Sequence, residues 1–278
     1  TAFTEAIWRA RMAPDMTGKW TFRSSTMSSG EERELASGMR GHSGWGRDEA
    51  GLAVAGADIF QHRAAEQAFF DHVDAARGEG TALRQAAEAE RLSVVGASEA
   101  LRKVGLPCPV VSVGSTPTAH HAADLTGVTE VRAGVFVFFD LVMAGVGICE
   151  INDIAISVLA TVIGHQREKG WILIDAGWMA MSQDRGTSKQ DINQGYGVVC
   201  DSSGEPFHDL ILAGAHQEHG IVTLRPGSRS VLPDLAIGDR VRILPNHACA
   251  TGAQHRSYHV VHGKSDMVTD EWLRLWGW

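Results

Sequence analysis

Residues Cys108–Thr118 read CPVVSVGSTPT, a short apolar segment followed by a loop of glycine, serine and threonine. Residues 62–104, just before it, are rich in helix-forming residues, with Ala and Leu at helical spacing. Gly105 and Pro107 then predict the end of that helix. A helix, a short strand and such a loop are typical of an α/β barrel or a layered α/β domain. We therefore predict an α/β domain over residues 1–142.

The loop itself is suited to a phosphate group. Gly114 permits close approach of the backbone, and Ser115 and Thr116 carry hydroxyl groups. In isolation, such a loop is more often an ordinary turn at the end of a strand. A second glycine, Gly134, precedes the apolar run Val135–Phe139. Two neighbouring strands that each end or open with glycine could hold one phosphate between them.

The sequence pattern changes after about residue 143. Short runs of β-branched and apolar residues now alternate with turns, and little helical periodicity remains. The predicted strands lie within residues 154–164, 171–177, 195–200, 219–224, 239–244 and 258–261. This pattern predicts a mostly β domain over residues 143–278, built as a small barrel or a sandwich.

A histidine and a cysteine follow the predicted strand Asp239–Leu244, whose alternation of charged and apolar residues indicates a half-buried strand. If the extended backbone continues, His247 and Cys249 lie on the same side of it. One nitrogen and one sulfur make half of a transition-metal site, with zinc as the leading candidate. A free cysteine is more often a small buried apolar residue. His219 is a further candidate, since Glu218 beside it could orient the ring.

Composition limits the classes of partner. The net charge of −8 argues against nucleic acid as the main partner. We find no apolar run of about 18 residues, which predicts that the chain does not span a membrane. The first residues lack the basic and apolar regions of a signal peptide. The four cysteines are widely spread, which favours free thiols and a cytoplasmic location.

Several segments together resemble the fold-type III pyridoxal-phosphate enzymes of the D-serine dehydratase and D-threonine aldolase group. Within this group the resemblance is closest to the D-threo-3-hydroxyaspartate dehydratase branch. The similar segments follow the same order along the chain and comprise residues 111–118, 127–140, 175–182, 184–187, 217–220, 245–251, and 272–274 with 277–278.

The resemblance implies an alanine-racemase-like barrel that holds pyridoxal 5'-phosphate, followed by a β-domain that carries a metal. It implies that Thr116 and the backbone of Gly134 and Val135 hold the phosphate, with Gly114, Ser115 and Phe136 in the same two loops. It also implies that His247 and Cys249 bind a divalent metal, which would be Zn, Mn, Co or Mg. Related D-threonine aldolases have an aspartate in place of the cysteine, so Cys249 favours the dehydratase branch.

The first third of the chain departs from the family pattern. The family's cofactor lysine lies in a segment whose nearest match is Ala13–Lys19, which makes Lys19 the candidate. An arginine and a tyrosine of the family are absent from residues 41–44 and 71–74. A complete barrel needs about 200 residues or more. We therefore predict a barrel that is incomplete at its N-terminus; a truncated, inactive relative is the alternative.

The implied activity is a lyase reaction that depends on pyridoxal phosphate and a divalent metal. It removes water from a D-3-hydroxy amino acid, of the D-threo-3-hydroxyaspartate or D-serine type, and yields a keto acid and ammonia. A D-threonine or 3-hydroxyaspartate aldolase, which breaks the Cα–Cβ bond, is the alternative. From another class, a non-catalytic pyridoxal-phosphate-binding protein is also considered. The resemblance further implies a homodimer.

Overall fold

The computed structural model describes the backbone of residues 5–10 and the backbone and side chains of residues 80–274. The candidate Lys19 and the part of the predicted helix before Gly80 lie outside the described residues. The first described element is strand β1 (Glu5–Ala10). None of the helices in this described part is long and apolar enough to cross a membrane.

Helix α1 (Gly80–Lys103), strand β2 (Ser112–Val113), helix α2 (Thr116–His121) and strand β3 (Glu130–Val131) follow one another. The predicted order of helix, short strand and loop is thus confirmed for these residues. Helix α1 buries Leu83 and Ala87 on one face and ends in basic residues, which the negative C-terminal end of a helix favours. Strands β2 and β3 pair in parallel, so their following loops lie side by side.

Six strands of the C-terminal region form a closed antiparallel ring. They are β4 (Ile156–Gln166), β5 (Trp171–Ile174), β6 (Gly197–Cys200), β7 (Pro206–Ala215), β8 (Gly220–Leu224) and β9 (Arg240–Pro245). The ring runs in the order β4, β5, β8, β7, β6, β9 and closes through the pairing of β9 with β4. Strand β4 is long enough to pair with β9 near Val158 and with β5 beyond Val162. The predicted β-domain is therefore a barrel.

Alternate side chains of the strands point into the barrel and fill it. All of the following are at most 2% exposed: Val158, Ala160, Val162, Ile172, Ile174, Leu210, Leu212, Val222, Val241 and Ile243. Strand β9 was predicted to be half-buried, but five of its six residues are buried. The reason is that both of its faces are covered: Val241 and Ile243 lie in the barrel core, and Leu244 packs in a second buried cluster on the other face.

Three further strands extend the sheet beyond β4. Strand β1 lies antiparallel to β4 and parallel to β10 (Ser257–His262), and β11 (Val268–Leu273) pairs with β10 at the edge. Strand β1 thus joins the β-sheet although it comes from the part of the chain assigned by sequence to the α/β domain. All six residues of β11 are exposed.

Three short helices complete the described part that surrounds the site. Helix α3 is Leu141–Gly145, helix α4 is Trp178–Met181 and helix α5 is Ala248–Gly252. Helix α4 follows β5 and helix α5 follows β9. The hydroxyl of Thr251 donates to the carbonyl of Met181 over 2.7 Å, which joins α5 to the end of α4. The segments that follow β5 and β9 therefore meet at one end of the barrel.

Candidate functional site

His247 and Cys249 lie at the junction between β9 and α5. His247 has an extended backbone (φ −137°, ψ 109°) and is the N-cap residue of α5, whereas Cys249 lies in the first turn of this helix. The extended backbone on which the prediction depended therefore ends at His247, because the backbone turns into a helix at Ala248. The two side chains still interact, since the Cys249 side chain contributes to the raised pKa of the imidazole.

Asp184 orients the His247 ring. Its Oδ2 lies 2.7 Å from His247 Nδ1, and its Oδ1 accepts a hydrogen bond of 2.7 Å from the backbone N–H of Gly186. Because a carboxylate only accepts, Nδ1 carries the proton in this pair. The neutral ring then presents the lone pair of Nε2, as in the carboxylate–histidine–metal arrangement of many metalloproteins.

The same contacts set the charge of the site. The hydrogen bond to Asp184, followed by that to Cys249, raises the pKa of His247 to about 10. The hydrogen bond to His247 is the main reason why the pKa of Asp184 lies below its usual value. Without a metal the imidazole is thus protonated at neutral pH. A metal at Nε2 must displace this proton, so its affinity is expected to rise with pH.

The substitution Asp184→Asn is expected to lower the pKa of His247 from about 10 towards the ordinary histidine value of about 6.5, because the ring loses its carboxylate partner. An NMR titration of the imidazole in the metal-free protein measures this shift. Asp234→Asn, at an exposed aspartate, is the matched control and should leave the titration unchanged. An unchanged His247 pKa in the Asp184 variant would show that this carboxylate does not hold the ring.

Asn246, next to His247, anchors the junction in the protein interior. It is 2% exposed, and its Oδ1 accepts hydrogen bonds from the backbone N–H and the hydroxyl of Thr187 at 3.2 and 2.6 Å. Its Nδ2 donates to the carbonyl of Gly195 over 2.8 Å. The Thr187 hydroxyl also accepts from the backbone N–H of Gln194. Buried amides in such networks fix one geometry, so this network holds the backbone that carries His247.

Asp140 holds the other side of the junction. It is 1% exposed and is the N-cap residue of α3, where its Oδ1 accepts from the backbone N–H of Met143 at 2.9 Å. Its Oδ2 accepts from the backbone N–H of Ala248, also at 2.9 Å. Burial raises the pKa of this carboxyl, while the two N–H donors act in the opposite direction. One side chain therefore caps α3 and binds the first residue of α5.

The backbone of the loop after β2 lies very close to the backbone of the loop after β3. Gly114 has a φ of +153°, and a Cβ at this position would overlap the backbone carbonyl of Arg132, which follows β3. Ser115 is the N-cap residue of α2, and its side chain forms a reciprocal capping pair with Thr118. A glycine is therefore required at position 114 for the two loops to lie against each other.

The loop after β3 reaches the first loop through Thr116. The hydroxyl of this buried threonine accepts a hydrogen bond of 3.1 Å from the backbone N–H of Phe136. The hydroxyl proton remains able to donate. Within the described part of the chain, the backbone N–H groups of Thr116, Gly134 and Val135 form no hydrogen bonds. The donors of the two adjacent loops thus fit a phosphate group.

His219 has a different environment from the one that the sequence suggested. It is exposed at the turn between β7 and β8, and its ring stacks on that of His216, with centroids 4.8 Å apart. The backbone of this turn contacts α4, since the N–H of Trp178 donates to the carbonyl of His216 over 2.7 Å. The structure thus pairs His219 with another histidine rather than with Glu218.

Sequence reasoning assigned no role to three residues of the site, Asp140, Asp184 and Asn246. All three lie in segments that resemble the family, namely 127–140, 184–187 and 245–251, and that resemblance was the available signal. Among the described residues, no group of three or more His, Cys, Asp or Glu side chains is arranged to hold a metal. The described residues thus offer His247 and Cys249 as two candidate ligands, and a metal held by them would need further ligands.

Comparison with known proteins identifies the class. The family model described as "Putative serine dehydratase domain" matches residues 155–261, which include the barrel and the His247–Cys249 junction. A solved alanine-racemase-like protein from Idiomarina loihiensis is 44% identical, with a TM-score of 0.65 over 73% of this chain and 53% of that chain. Residues 155–261 thus match this domain family, and the chain is similar to D-serine dehydratase-like proteins and to a structure described as alanine-racemase-like.

Within this family the chain is similar to D-threo-3-hydroxyaspartate dehydratase from Delftia sp. (strain HT23). The two are 57% identical over 199 residues, which cover 71% of this chain and 52% of that protein. A structure of a histidine-to-alanine variant of a D-threo-3-hydroxyaspartate dehydratase aligns with a TM-score of 0.67 at 52% identity, over 76% of this chain and 53% of that chain. A cysteine-to-alanine variant, described as the metal-free form, aligns with a TM-score of 0.65 at 55% identity, over 73% and 53%. The chain thus spans about half the length of these relatives.

Proposed function

We propose that this chain eliminates water from a D-3-hydroxy amino acid, of the D-threo-3-hydroxyaspartate or D-serine type, and releases a keto acid and ammonia. The observation that carries this proposal is the His247–Cys249 pair, with Asp184 bound to the histidine over 2.7 Å. The similarity to D-threo-3-hydroxyaspartate dehydratase supports the choice of substrate class. In this proposal the α/β domain comprises residues 1–142 and the β-domain residues 143–278.

The chemistry of the donors supports a divalent metal at His247 and Cys249. A thiolate and an imidazole favour zinc over the harder ions Mg²⁺ and Mn²⁺, and cobalt suits the same donors. In the related structures, the substituted histidine and cysteine are two positions apart, as His247 and Cys249 are. The cysteine variant is the one described as metal-free. This agreement supports the assignment of both residues as ligands.

The two adjacent loops support pyridoxal phosphate as the cofactor. The N–H groups of Thr116, Gly134 and Val135 would hold its phosphate, and the Thr116 hydroxyl would donate a further hydrogen bond. Three further residues shape these loops. Gly114 lets the two backbones approach closely, Ser115 caps α2, and the N–H of Phe136 donates to the Thr116 hydroxyl. Lys19 remains the candidate for the lysine that binds the cofactor. The homodimer stays a prediction.

The residues around the proposed metal site have different roles in this reaction. When bound, the cofactor supplies an electron sink and the metal a Lewis acid for the departing hydroxyl group. Asp184 keeps the His247 ring in the orientation that binds metal, while Asn246 and Asp140 fix the backbone on its two sides. The exposed Cys249 leaves the metal accessible to a small substrate.

The protein incubated with pyridoxal phosphate is expected to show a visible absorbance band that borohydride removes, because reduction fixes the cofactor on its lysine. Peptide mapping of the reduced protein should locate the cofactor at Lys19. Lys19→Ala should abolish the labelling, whereas Lys169→Ala, at a lysine that lies over the Trp171 ring, should retain it. Absence of a borohydride-sensitive band in the parent protein would exclude a cofactor-dependent reaction.

A further inference from the structure

One short segment connects the phosphate loops to the metal ligands. Residues 134–142, called here the connecting segment, run from the loop after β3 into the first turn of α3. Near its start, the N–H of Phe136 donates to the Thr116 hydroxyl over 3.1 Å. The segment is therefore attached at this end to the loop after β2.

The other end of the connecting segment binds the backbone on both sides of His247. The N–H of Val142 donates to the carbonyl of Asn246 over 3.3 Å, and Asp140 Oδ2 accepts from the N–H of Ala248 at 2.9 Å. The flanking side chains Leu141 and Ala248 belong to one buried apolar cluster. The junction that carries the two metal ligands is thus bound to the connecting segment by hydrogen bonds as well as by packing.

The backbone of the connecting segment is held in an unusual conformation beside Asp140. Phe139 has a φ of +51°, in the left-handed region that non-glycine residues seldom adopt. Its N–H donates to the carbonyl of Val135 over 2.6 Å, and its ring packs edge-on against His120 with centroids 6.3 Å apart. Such strain persists only where the surroundings fix the backbone, and it concentrates at functional sites.

We propose that Asp140 is a positioning residue, which fixes the junction of His247 and Cys249 to the connecting segment and so sets the metal ligands relative to the phosphate loops. This inference rests on the proposed function, because it takes His247 and Cys249 as ligands. A cap for α3 alone would need only the bond to Met143. The second bond, to Ala248 in another helix, is the one that positions the ligands.

The substitution Asp140→Asn tests the proposal, because an asparagine offers one acceptor oxygen for two N–H donors. The amide group must then face either Met143 or Ala248 with its own N–H groups. The affinity for Co²⁺ is expected to fall about 10- to 100-fold, the range seen when residues that support metal ligands are changed. The cobalt–thiolate charge-transfer band should also weaken, since it reports the geometry at Cys249 and not the stability of the fold.

Asp201→Asn is the matched control. Asp201 also binds backbone N–H groups, those of Ser203 and Glu205, at the opposite end of β6 from the junction. All titrations are made at a temperature where circular dichroism shows each variant folded. Retained cobalt affinity in the Asp140 variant, or an equal loss in the Asp201 variant, would overturn the proposal.

A measurement on the unaltered protein keeps the proposal testable should Asp140→Asn fail to fold. Addition of Co²⁺ is expected to slow amide hydrogen exchange at both Ala248 and Met143, because both N–H groups bind the same carboxylate. Exchange at Met143 that cobalt leaves unchanged would overturn the positioning role while leaving the metal site intact. Failure of the unaltered protein to bind Co²⁺ would instead overturn the metal site and the positioning role together.

Discussion

Replacement of Cys249 by alanine is expected to abolish metal binding and to lower the release of ammonia from a D-3-hydroxy amino acid by about 10³-fold. The reason is that a Lewis acid supplies several kcal/mol of stabilisation to a departing hydroxyl group, and each 1.36 kcal/mol is about tenfold in rate. Replacement of His247 by alanine is expected to have the same effect. Metal content after equilibrium dialysis, together with an ammonia assay, measures both consequences.

The cysteine variant separates loss of the metal from loss of the fold. Cys249 is exposed, and exposed substitutions change stability by about 0.5 kcal/mol or less. His247→Ala additionally removes the contact with Asp184, so the cysteine variant is the cleaner test. Cys108→Ala, at a cysteine remote in sequence from the site, is the matched control and should retain metal and activity. Full metal content in the Cys249 variant would refute its role as a ligand.

The substitution Asn246→Ala is expected to destabilise the protein by about 3–4 kcal/mol. It leaves three buried polar groups without their partner, namely the N–H and hydroxyl of Thr187 and the carbonyl of Gly195. Each unsatisfied buried group costs about 1–3 kcal/mol, and partial relaxation reduces the sum. Metal binding should fall as well, because the backbone before His247 loses its anchor.

Denaturant unfolding of the metal-free protein measures this loss directly. Asn193→Ala is the matched control: its side chain accepts a single hydrogen bond, of 2.9 Å, from the N–H of Gly195, and the residue is exposed. This control should cost about 1 kcal/mol or less. If the two asparagine variants have the same midpoint of unfolding, the Asn246 network does not anchor the site.

Local sequence pattern was sufficient for much of the fold. The helical composition before Lys103 and the β-branched runs after residue 143 predicted α1 and most of the barrel strands. Strand β11 was missed because all six of its residues are exposed and the two charged ones, Asp270 and Glu271, are adjacent, which leaves no alternating pattern. Strand β7 was also missed, since its ten residues begin with proline and end in small residues.

The site was predicted in part, because only His247 and Cys249 are close in sequence. Asp184 precedes His247 by 63 residues, and Asp140 precedes Ala248 by 108. Such contacts arise from closure of the barrel and from packing of short helices, which no local pattern encodes. The same reason explains why the backbone after His247 was predicted to be extended, whereas it forms a helix from Ala248. The carboxylate of Asp140, the N-cap residue of α3, binds the N–H of the first residue of α5, and no local pattern predicts this contact.

We propose that this chain catalyses dehydration at a metal held by His247 and Cys249. A product analysis after incubation with D-threo-3-hydroxyaspartate, pyridoxal phosphate and Zn²⁺ tests this proposal directly. We predict equal amounts of ammonia and keto acid, with both lost when a chelator is added or Cys249 is replaced. Release of glycine and an aldehyde, or of no product from any D-3-hydroxy amino acid, would contradict the claim.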